Sequence, residues 1–248
     1  AEGSLAEGAL GDGALADGPV VFEENGVKYE VDLLRGHKTG FFLDQRDNRR
    51  ILRELSEGKD VLDLFTYTGG FAVSAALGGA KRTVAVDLAG PAIRACQRNY
   101  ELNGLSAEIV DGSEAASAAP AAPHVLHVAD CFDYLSKAKE RGELFDIVVN
   151  DPPSMAPSAR TRQKALTAYV RLNNMALDVL RPGGLLLACS CSSHITMRDL
   201  GKAVKEAGRR AGRQLAVERK ERAGTDHPVR KGFPEGDYLQ VIYVRVLD

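Results

Sequence analysis

The segment Val61-Leu-Asp-Leu-Phe-Thr-Tyr-Thr-Gly-Gly-Phe71 joins a short apolar run to a polar turn that contains two adjacent glycines. This order is typical of a buried strand that ends in a tight turn before a helix, and glycine lets the backbone approach a ligand closely. The segment lacks both the Gly-x-Gly-x-x-Gly spacing of dinucleotide-binding turns and the lysine of a phosphate-binding P-loop. It therefore predicts a strand–turn–helix unit that binds a nucleotide-like ligand other than a dinucleotide.

Strand and helix patterns alternate after this segment. The predicted strands are Val61–Phe65, Thr83–Asp87, Val125–Ala129, Ile147–Asn150, Leu185–Cys189, Gln214–Glu218 and Leu239–Val246. The predicted helices lie near Gly70–Gly78, Ala89–Asn103, Cys131–Arg141, Thr161–Leu180 and Met197–Ala211. Because strand–helix alternation is typical of parallel sheets with helices on both faces, we expect a doubly wound α/β fold with seven strands.

The first part of the sequence has a different character. Residues 1–18 are rich in glycine, alanine and acidic residues, which predicts a flexible linker or tail. Two β-prone runs, Val20–Glu23 and Val27–Leu33, flank Asn25-Gly26, which is a strong hairpin signal, and a helix is expected to run to about Leu55. We therefore predict a tail (1–18), a hairpin and helix appendage (19–56) and a main domain (57–248).

Composition limits the class of protein. The sequence has 248 residues, 44% hydrophobic and 27% charged, with a net charge of −2, which is ordinary for a soluble globular protein. Its four cysteines are too few for a secreted disulfide framework and favour the reduced cytoplasm. No apolar run approaches the ~20 residues of a membrane span, and no signal peptide pattern is present. We expect a cytoplasmic protein with no membrane partner.

Three aspartates mark the expected cofactor site. Asp63 lies inside the first strand of the main domain, Asp87 ends the second, and Asp130 follows the third. An acid about 20 residues after a glycine turn can bind both ribose hydroxyls, and Asp130 is positioned to accept from an adenine amino group. Without a pyrophosphate cradle, three acids favour S-adenosylmethionine over NAD. The alternative is that Asp87 and Asp130 only cap the helices that follow them.

Two further segments carry the expected chemistry. Asn150-Asp-Pro-Pro153 closes one strand, and Leu187-Ala-Cys-Ser-Cys-Ser-Ser-His-Ile-Thr196 closes the next. A Cys191 thiolate that adds to C6 of cytosine would make C5 nucleophilic enough to take a methyl group, which is covalent catalysis. Asp151 would support the adduct by hydrogen bonds to N3 and the amino group of the base.

Other interpretations of these segments stay open. Asp-Pro-Pro is also a rigid turn, and before an aromatic residue it is familiar from enzymes that methylate exocyclic amines, although Ser154 follows here. Cys189 and Cys191 would share one face of a strand and could both be ordinary buried thiols. A metal site at Cys189, Cys191 and His194 lacks a fourth ligand, so we expect no metal.

A basic segment points to an acidic partner. Residues 198–231 contain eleven basic and five acidic side chains, and Arg160, Arg162 and Lys164 extend this excess. Basic side chains that contact phosphates supply salt-dependent affinity for RNA. We predict that Arg209, Arg210 and Arg213 bind the RNA substrate; the alternative is a solvated helix face.

With these residues the sequence resembles the bacterial 23S ribosomal RNA cytosine-5 methyltransferases, which depend on S-adenosylmethionine. The resemblance spans about 20–246 and is specific at His37–Arg46, Phe65–Phe71, Asp151–Pro153 with Ser190–Ser192, and Asp226–Val229 with Pro234–Gly236. It implies the class I methyltransferase form of the Rossmann-like doubly wound sheet, large-subunit ribosomal RNA as partner, and Cys191 as nucleophile.

The resemblance also implies roles for other residues. It implies that Phe42, Gln45 and Arg46 close over the cofactor, and that Asp226 and His227 line the base pocket beside Pro153. The full set expected to bind S-adenosylmethionine is Phe42, Gln45, Arg46, Asp63, Phe65, Thr66, Tyr67, Thr68, Gly69, Gly70, Asp87, Leu88, Asp130, Cys131, Asp151 and Pro152.

The sequence departs from the family pattern in two ways. Members usually begin with an RNA-binding PUA domain, which has no counterpart here, and Asp111–Pro123 is an unusual insertion that we expect to be a surface loop without function. A sister branch that methylates guanine N7 shares the turn and the Asp-Pro-Pro but lacks the Ser-Cys-Ser cysteine. Three other functions remain alternatives: methylation of a base nitrogen, RNA binding without activity, and methylation of a small molecule. A homodimer is a possible assembly.

Overall fold

The computed structural model describes residues 18–33, 40–112, 122–156 and 158–248. The strands are β1 (Val20–Glu24), β2 (Val27–Val31), β3 (Asp60–Leu64), β4 (Arg82–Asp87), β5 (Glu108–Asp111), β6 (His124–Val128), β7 (Phe145–Asn150), β8 (Leu180–Ser190), β9 (Leu215–Glu221) and β10 (Gln240–Val246). The helices are α1 (Arg46–Leu55), α2 (Gly70–Leu77), α3 (Gly90–Leu102), α4 (Cys131–Glu140), α5 (Arg162–Asp178) and α6 (Met197–Ala211).

The main sheet is doubly wound, as the alternation of strands and helices predicts. Its order is β5-β6-β4-β3-β7-β8-β10-β9, and every described pairing is parallel except those that β10 makes with β8 and β9. All seven predicted strands are present. An eighth, β5, joins the edge of the sheet through β6; it is only four residues long and half-exposed, which explains why hydrophobic patterning misses it.

The start of β8 differs from the prediction. The pattern Arg181-Pro-Gly-Gly184 predicts a break between helix and strand, yet β8 already begins at Leu180, which pairs with Phe145 of β7. The pairing then jumps to Ile147 with Leu185, so residues 181–184 bulge out of the ladder. A bulge accommodates the proline, which cannot donate to a regular ladder.

The sheet is packed on both faces. Side chains of β8 alternate: Leu186 and Ala188 join the core formed with α4, α5 and α6, whereas Leu185, Leu187 and Cys189 face α1 and α2. This two-residue period is the strand geometry expected of a strand buried on both sides. The described helices include none that is both long and apolar enough to cross a membrane.

The predicted hairpin is confirmed and is anchored to α1. Asn25 and Gly26 both have positive φ, at 52° and 76°, as the tight turn between β1 and β2 requires. Arg49 of α1 forms a two-point ion pair with Glu24 at 2.7 Å, and the two side chains are 3% and 7% exposed. The same guanidinium donates to the carbonyl oxygen of Phe42 at 2.8 Å, so the hairpin fixes the loop that precedes α1.

The predicted tail, the His37-Lys-Thr part of one sequence motif and most of the predicted insertion lie outside the described residues. Among the described parts, the strands β3, β4, β6, β7 and β8 all point their carboxyl ends to one edge of the sheet. Ligands of doubly wound sheets bind beyond such an edge.

Candidate active site

The turn after β3 has a strained backbone. Phe65 and Tyr67 have φ values of 60° and 52°, and among the non-glycine residues described only Asn25 shares this left-handed conformation. Gly69 follows with φ of 83° and is the N-cap of α2. Bulky residues adopt positive φ at a cost of about 1–3 kcal/mol each, and such strain concentrates at ligand sites.

Neighbouring strands hold this turn in place. The backbone N–H of Phe65 donates to the sulfur of Cys131 at 3.3 Å, and that of Thr66 donates to the carbonyl oxygen of Val86 at 3.1 Å. The N–H of Tyr67 donates to the Asp87 carboxylate at 2.9 Å. Cys131, expected at the cofactor, is therefore a buried support of the turn, and burial raises the pKa of its thiol.

Asp63 lies buried beneath the turn. One carboxylate oxygen accepts from the Thr66 hydroxyl at 2.5 Å and from the Ala72 N–H at 3.0 Å. The other, Oδ1, is buried without a hydrogen-bond partner among the described residues. Burial raises the pKa of Asp63 to about 7, helped by the nearby Asp151 and Asp87 carboxylates. An unpartnered buried oxygen in an acidic cluster fits the ammonium group of an amino-acid ligand.

Asp87 and Asp130 lie at successive strand ends, and the carboxylates of both accept hydrogen bonds from nearby backbone N–H groups. Asp87 accepts from Tyr67 and, through its other oxygen, from the Ala89 N–H at 2.9 Å. Asp130 is the N-cap of α4 and accepts from the N–H groups of Phe132 and Asp133. The capping alternative is thus observed for Asp130, whereas the N-cap of α3 is Ala89 and not Asp87. Both carboxylates keep lone pairs for a ligand. Leu88, beside Asp87, is 70% exposed and offers an apolar surface at this edge.

Asp151 lies directly after β7 and is held by Gln45. The Gln45 amide donates to its carboxylate at 3.0 Å, while Asn48 donates to the Gln45 carbonyl oxygen at 2.8 Å and so fixes which end of the amide faces Asp151. Burial raises the pKa of Asp151 to about 7, and the neighbouring Asp44 carboxylate adds to this shift. Near neutral pH a substantial fraction of the protein molecules therefore has a protonated Asp151, which can donate a hydrogen bond.

The two cysteines of the second segment differ in access. Cys189 is within β8 and 1% exposed, whereas Cys191 follows the last residue of that strand and is half-buried. The Cys191 thiol donates to the carbonyl oxygen of Pro152 at 3.7 Å, so it lies beside the Asp-Pro-Pro turn. Cys191 is therefore the thiol of this pair that a substrate at the sheet edge could reach.

The loop before α1 closes one side of this region. The Phe42 ring meets the Tyr67 ring edge to face at 5.4 Å, above the turn. Arg46 pairs instead with Asp226 at 3.1 Å, and Asp226 also contacts His227 at 3.1 Å, which lowers the Asp226 pKa together with Arg46. The structure therefore brings Arg46 to the residues expected to line the base pocket.

Three predicted RNA-binding arginines lie elsewhere. Arg213 donates to the carbonyl oxygens of Leu177 and Leu180 at 3.2 Å each. Two ladder steps of β7 span the bulge between Leu180 and Leu185, and five more lead to Ser190, so the carbonyl that Arg213 binds is roughly 23 Å from the Ser190 end of β8 at about 3.3 Å per step. Arg209 and Arg210, in the last turn of α6, both pair with Glu206. The structure does not bring these three side chains to the sheet edge that holds Cys191.

Other basic residues do reach that edge. The segment 222–239 connects the end of β9, where Glu221 pairs with Val241, to the start of β10, where Gln240 pairs with Ser190. This segment carries exposed Arg230 and Lys231. The basic side chains of residues 198–231 are therefore divided between two ends of the sheet.

Asp44 and Tyr238 are two further residues that the structure brings into the site, and no pattern in the sequence marks them as functional. The Tyr238 hydroxyl donates to Asp44 at 2.7 Å across 194 positions of sequence. Asp44 is 8% exposed, and its second carboxylate oxygen is buried without a partner among the described residues. Both residues lie within or beside recognisable motifs, but only the fold reveals that they touch.

The chain is similar to known methyltransferases. A family model described as S-adenosylmethionine-dependent methyltransferase matches residues 19–230. Ribosomal RNA large subunit methyltransferase I of Aeromonas salmonicida is 41% identical over 227 residues, which is 92% of this chain and 54% of the relative. The ribosomal RNA large subunit methyltransferase of Deinococcus radiodurans is 37% identical, covering 92% of this chain and 52% of the relative. The chain spans about half the length of the curated relatives it matches.

Two solved structures that are described as methyltransferases have a similar fold. SMU.776, a protein assigned as a methyltransferase and solved with SAH, superposes with a TM-score of 0.79 at 30% identity, over 94% of this chain and 57% of that one. An assigned SAM-dependent methyltransferase from Streptococcus mutans gives the same values.

Proposed function

Because the chain belongs to the S-adenosylmethionine-dependent methyltransferase family, we propose that it methylates C5 of a cytosine in large-subunit ribosomal RNA. The substrate class is supported by the names of its relatives, which are ribosomal RNA large subunit methyltransferases. The position of the methyl group on the base is supported by the chemistry of Cys191. These two parts of the proposal rest on different observations and are tested separately.

The residues present fit the cofactor. S-adenosylmethionine, when bound, supplies an electrophilic methyl group. Asp63 would hold its ammonium group through the buried oxygen Oδ1, which has no partner among the described residues. Asp87 would accept from its ribose hydroxyls, Leu88 would cover its adenine, and Asp130 would accept from the adenine amino group. The strained turn from Phe65 to Gly69 lets the backbone approach this ligand.

The observation that carries the proposal is the position of Cys191 beside Pro152, the residue that follows Asp151. The register pairs Asn150 of β7 with Ala188 of β8, so the two strands end side by side, and the Cys191 sulfur contacts Pro152. A cytosine at this edge would meet a thiol and a carboxyl group together. As the thiolate, Cys191 adds to C6 and moves the electron pair of the C5–C6 double bond toward C5.

Asp151 stabilises the adduct in this mechanism. Its raised pKa leaves a proton on the carboxyl group near pH 7, and a protonated carboxyl group donates one hydrogen bond and accepts another. N3 of cytosine accepts and its amino group donates, so the two edges are complementary. Gln45 and Asn48 keep the carboxyl group in position, which favours the ring that carries extra negative charge.

The segment 222–239 and the start of α6 are the proposed RNA surface. Arg230 and Lys231 are exposed near the Cys191 end of the sheet, and Arg198 is exposed in the first turn of α6. The target base must be unpaired or flipped to reach a half-buried thiol. Arg209, Arg210 and Arg213 are not part of this surface.

The test uses large-subunit ribosomal RNA in which cytosine is replaced by 5-fluorocytosine. Fluorine at C5 cannot leave as a proton, so a thiolate mechanism traps a covalent protein–RNA adduct when S-adenosylmethionine is present. We expect an adduct that survives a denaturing gel and whose mass contains the transferred methyl group. Cys191→Ala abolishes it, whereas the matched variant Cys189→Ala retains it.

The competing functions give other results. Methylation of a base nitrogen gives methylated RNA without an adduct and survives Cys191→Ala. An inactive RNA-binding protein binds RNA but transfers no methyl group even when calorimetry shows that the cofactor binds. A small-molecule methyltransferase acts on a free nucleoside with a rate that does not depend on salt. Each of these outcomes would overturn the proposal.

A further inference from the structure

The buried Asp44 and the half-buried Tyr238 form an acid–phenol pair next to the proposed nucleophile. The Tyr238 hydroxyl donates to one Asp44 oxygen at 2.7 Å, and the other Asp44 oxygen is buried without a hydrogen-bond partner among the described residues. Asp44 is more than nine-tenths buried. Burying an incompletely satisfied carboxylate costs free energy, which a purely structural role would not explain.

The strand register places this pair beside Cys191. Gln240 pairs with Ser190 at the end of the antiparallel ladder, so Leu239 and Cys191 come next, and Tyr238 follows. Tyr238 and Cys191 pack against the same hydrophobic cluster. Burial, Asp44 and the nearby Cys191 sulfur all raise the pKa of the Tyr238 hydroxyl, which keeps its proton on the phenol.

We infer that Tyr238 takes the proton from C5 of the methylated cytosine and passes its own proton to Asp44. A ring joined to Cys191 through C6 carries C5 as the adjacent atom, which brings the C5 hydrogen to the side of the site where Tyr238 lies. The hydroxyl points its proton at Asp44, so a lone pair of its oxygen can accept a second proton. Tyr238 would touch the substrate, and Asp44 would act through it.

The step balances in atoms and electrons. The C5–H bond breaks and its proton goes to the Tyr238 oxygen while the phenolic proton moves to an Asp44 oxygen. The electron pair of the C5–H bond forms the C5–C6 double bond, and the bond from C6 to the Cys191 sulfur breaks to release the thiolate. Asp44 ends as a neutral carboxylic acid and returns its proton to water through Tyr238.

This inference rests on the proposed cytosine-5 function. Its test therefore separates methyl transfer from proton removal, using ribosomal RNA that carries tritium at C5 of cytosine and S-adenosylmethionine labelled with carbon-14 in the methyl group. In the wild type, each methyl group transferred releases one tritium. In Tyr238→Phe and Asp44→Asn, we expect tritium release at least tenfold slower than methyl transfer and a methylated covalent adduct that accumulates on this fluorine-free RNA.

Controls distinguish this result from a misfolded site. Tyr134→Phe is the matched variant, because Tyr134 is buried and its hydroxyl donates to Glu143, outside the site; its tritium release should keep pace with methyl transfer. Adduct formation with 5-fluorocytosine RNA needs no C5 proton, so it should proceed in Tyr238→Phe and Asp44→Asn. An equal loss of methyl transfer and tritium release in both variants would overturn the inference, whereas no adduct in the wild type would overturn the proposed function itself.

Discussion

Gly69, in the turn after β3, packs so closely against Cys96 that a side chain at position 69 has no room. A β-carbon built on Gly69 would overlap the Cys96 sulfur and lie 3.3 Å from the Cys96 β-carbon. Gly69 also has a φ of +83°, which side chains rarely adopt. The first turn of α2 therefore depends on two properties of one glycine: its backbone conformation and its size.

Gly69→Ala should lower the free energy of unfolding by about 2–5 kcal/mol, because backbone strain adds to overpacking against Cys96. Urea denaturation measures this change. Gly104→Ala is the matched control: its φ is +73° but nothing lies within 4 Å of its β-carbon, so a loss of about 1–2 kcal/mol is expected. Equal losses in the two variants would contradict the role of the close approach to Cys96.

Asp63 should make cofactor binding depend on pH. Its pKa is raised to about 7, so the carboxyl group is protonated below that pH and must lose its proton to bind an ammonium group. Below pH 7 the affinity for S-adenosylhomocysteine should fall by up to about tenfold per pH unit, since one pKa unit corresponds to 1.36 kcal/mol.

Isothermal titration calorimetry between pH 5.5 and 8.5 checks this prediction for Asp63. Asp63→Asn should bind more weakly and lose the dependence, while Asp133→Asn, which changes an exposed carboxylate on α4, should keep it. A wild-type affinity that is constant across this range would show that Asp63 does not meet the ammonium group.

Asp151 should act in its protonated form, with a pKa raised to about 7. The proton is present below that pH and is lost as the pH rises. The ratio of adduct formation rates between wild type and Asp151→Ala should therefore fall about tenfold per unit above pH 7, until the two rates meet. Taking the ratio cancels ionisations common to both proteins. A ratio that rises with pH would mean that the carboxylate is the active form.

RNA affinity should depend on one end of the sheet. Replacing Arg230 and Lys231 by glutamine should reduce the slope of log affinity against log salt by about 0.7–0.9 for each phosphate that the protein no longer neutralises. The same replacements at Arg209 and Arg210, at the opposite end, should leave the slope unchanged. Filter binding with a large-subunit RNA fragment at several salt concentrations measures both slopes, and equal effects would refute this assignment of the RNA surface.

The sequence is most informative where chemistry and local structure coincide. The hairpin turn at Asn25-Gly26, the strand ends at Asp87 and Asn150 and the position of Cys191 beyond β8 follow from short patterns of residues. Hydrophobic patterning misses β5 because an exposed edge strand has no buried face to mark it. The bulge after Leu180 is also missed, since proline and glycines predict a break and not a strand that bends around them.

The contacts that complete the site are harder to predict. Gln45 meets Asp151 across 106 positions, and Tyr238 meets Asp44 across 194, so no local pattern indicates either pair. The count of basic residues over 198–231 does not locate the RNA surface for a related reason: it does not show to which end of the sheet each side chain is carried. Because α6 runs away from Cys191, the basic residues of its last turn are carried to the other end of the sheet.

The direction of α6 has a practical consequence for handling the protein. Arg209 and Arg210 lie on a surface far from Cys191 and from the cofactor turn, and their partner Glu206 is on the same helix. A biotin attached in this last turn of α6 would hold the protein on a sensor with the sheet edge that holds Cys191 facing the solution. Binding and adduct formation could then be followed on one immobilised sample without obstructing the RNA.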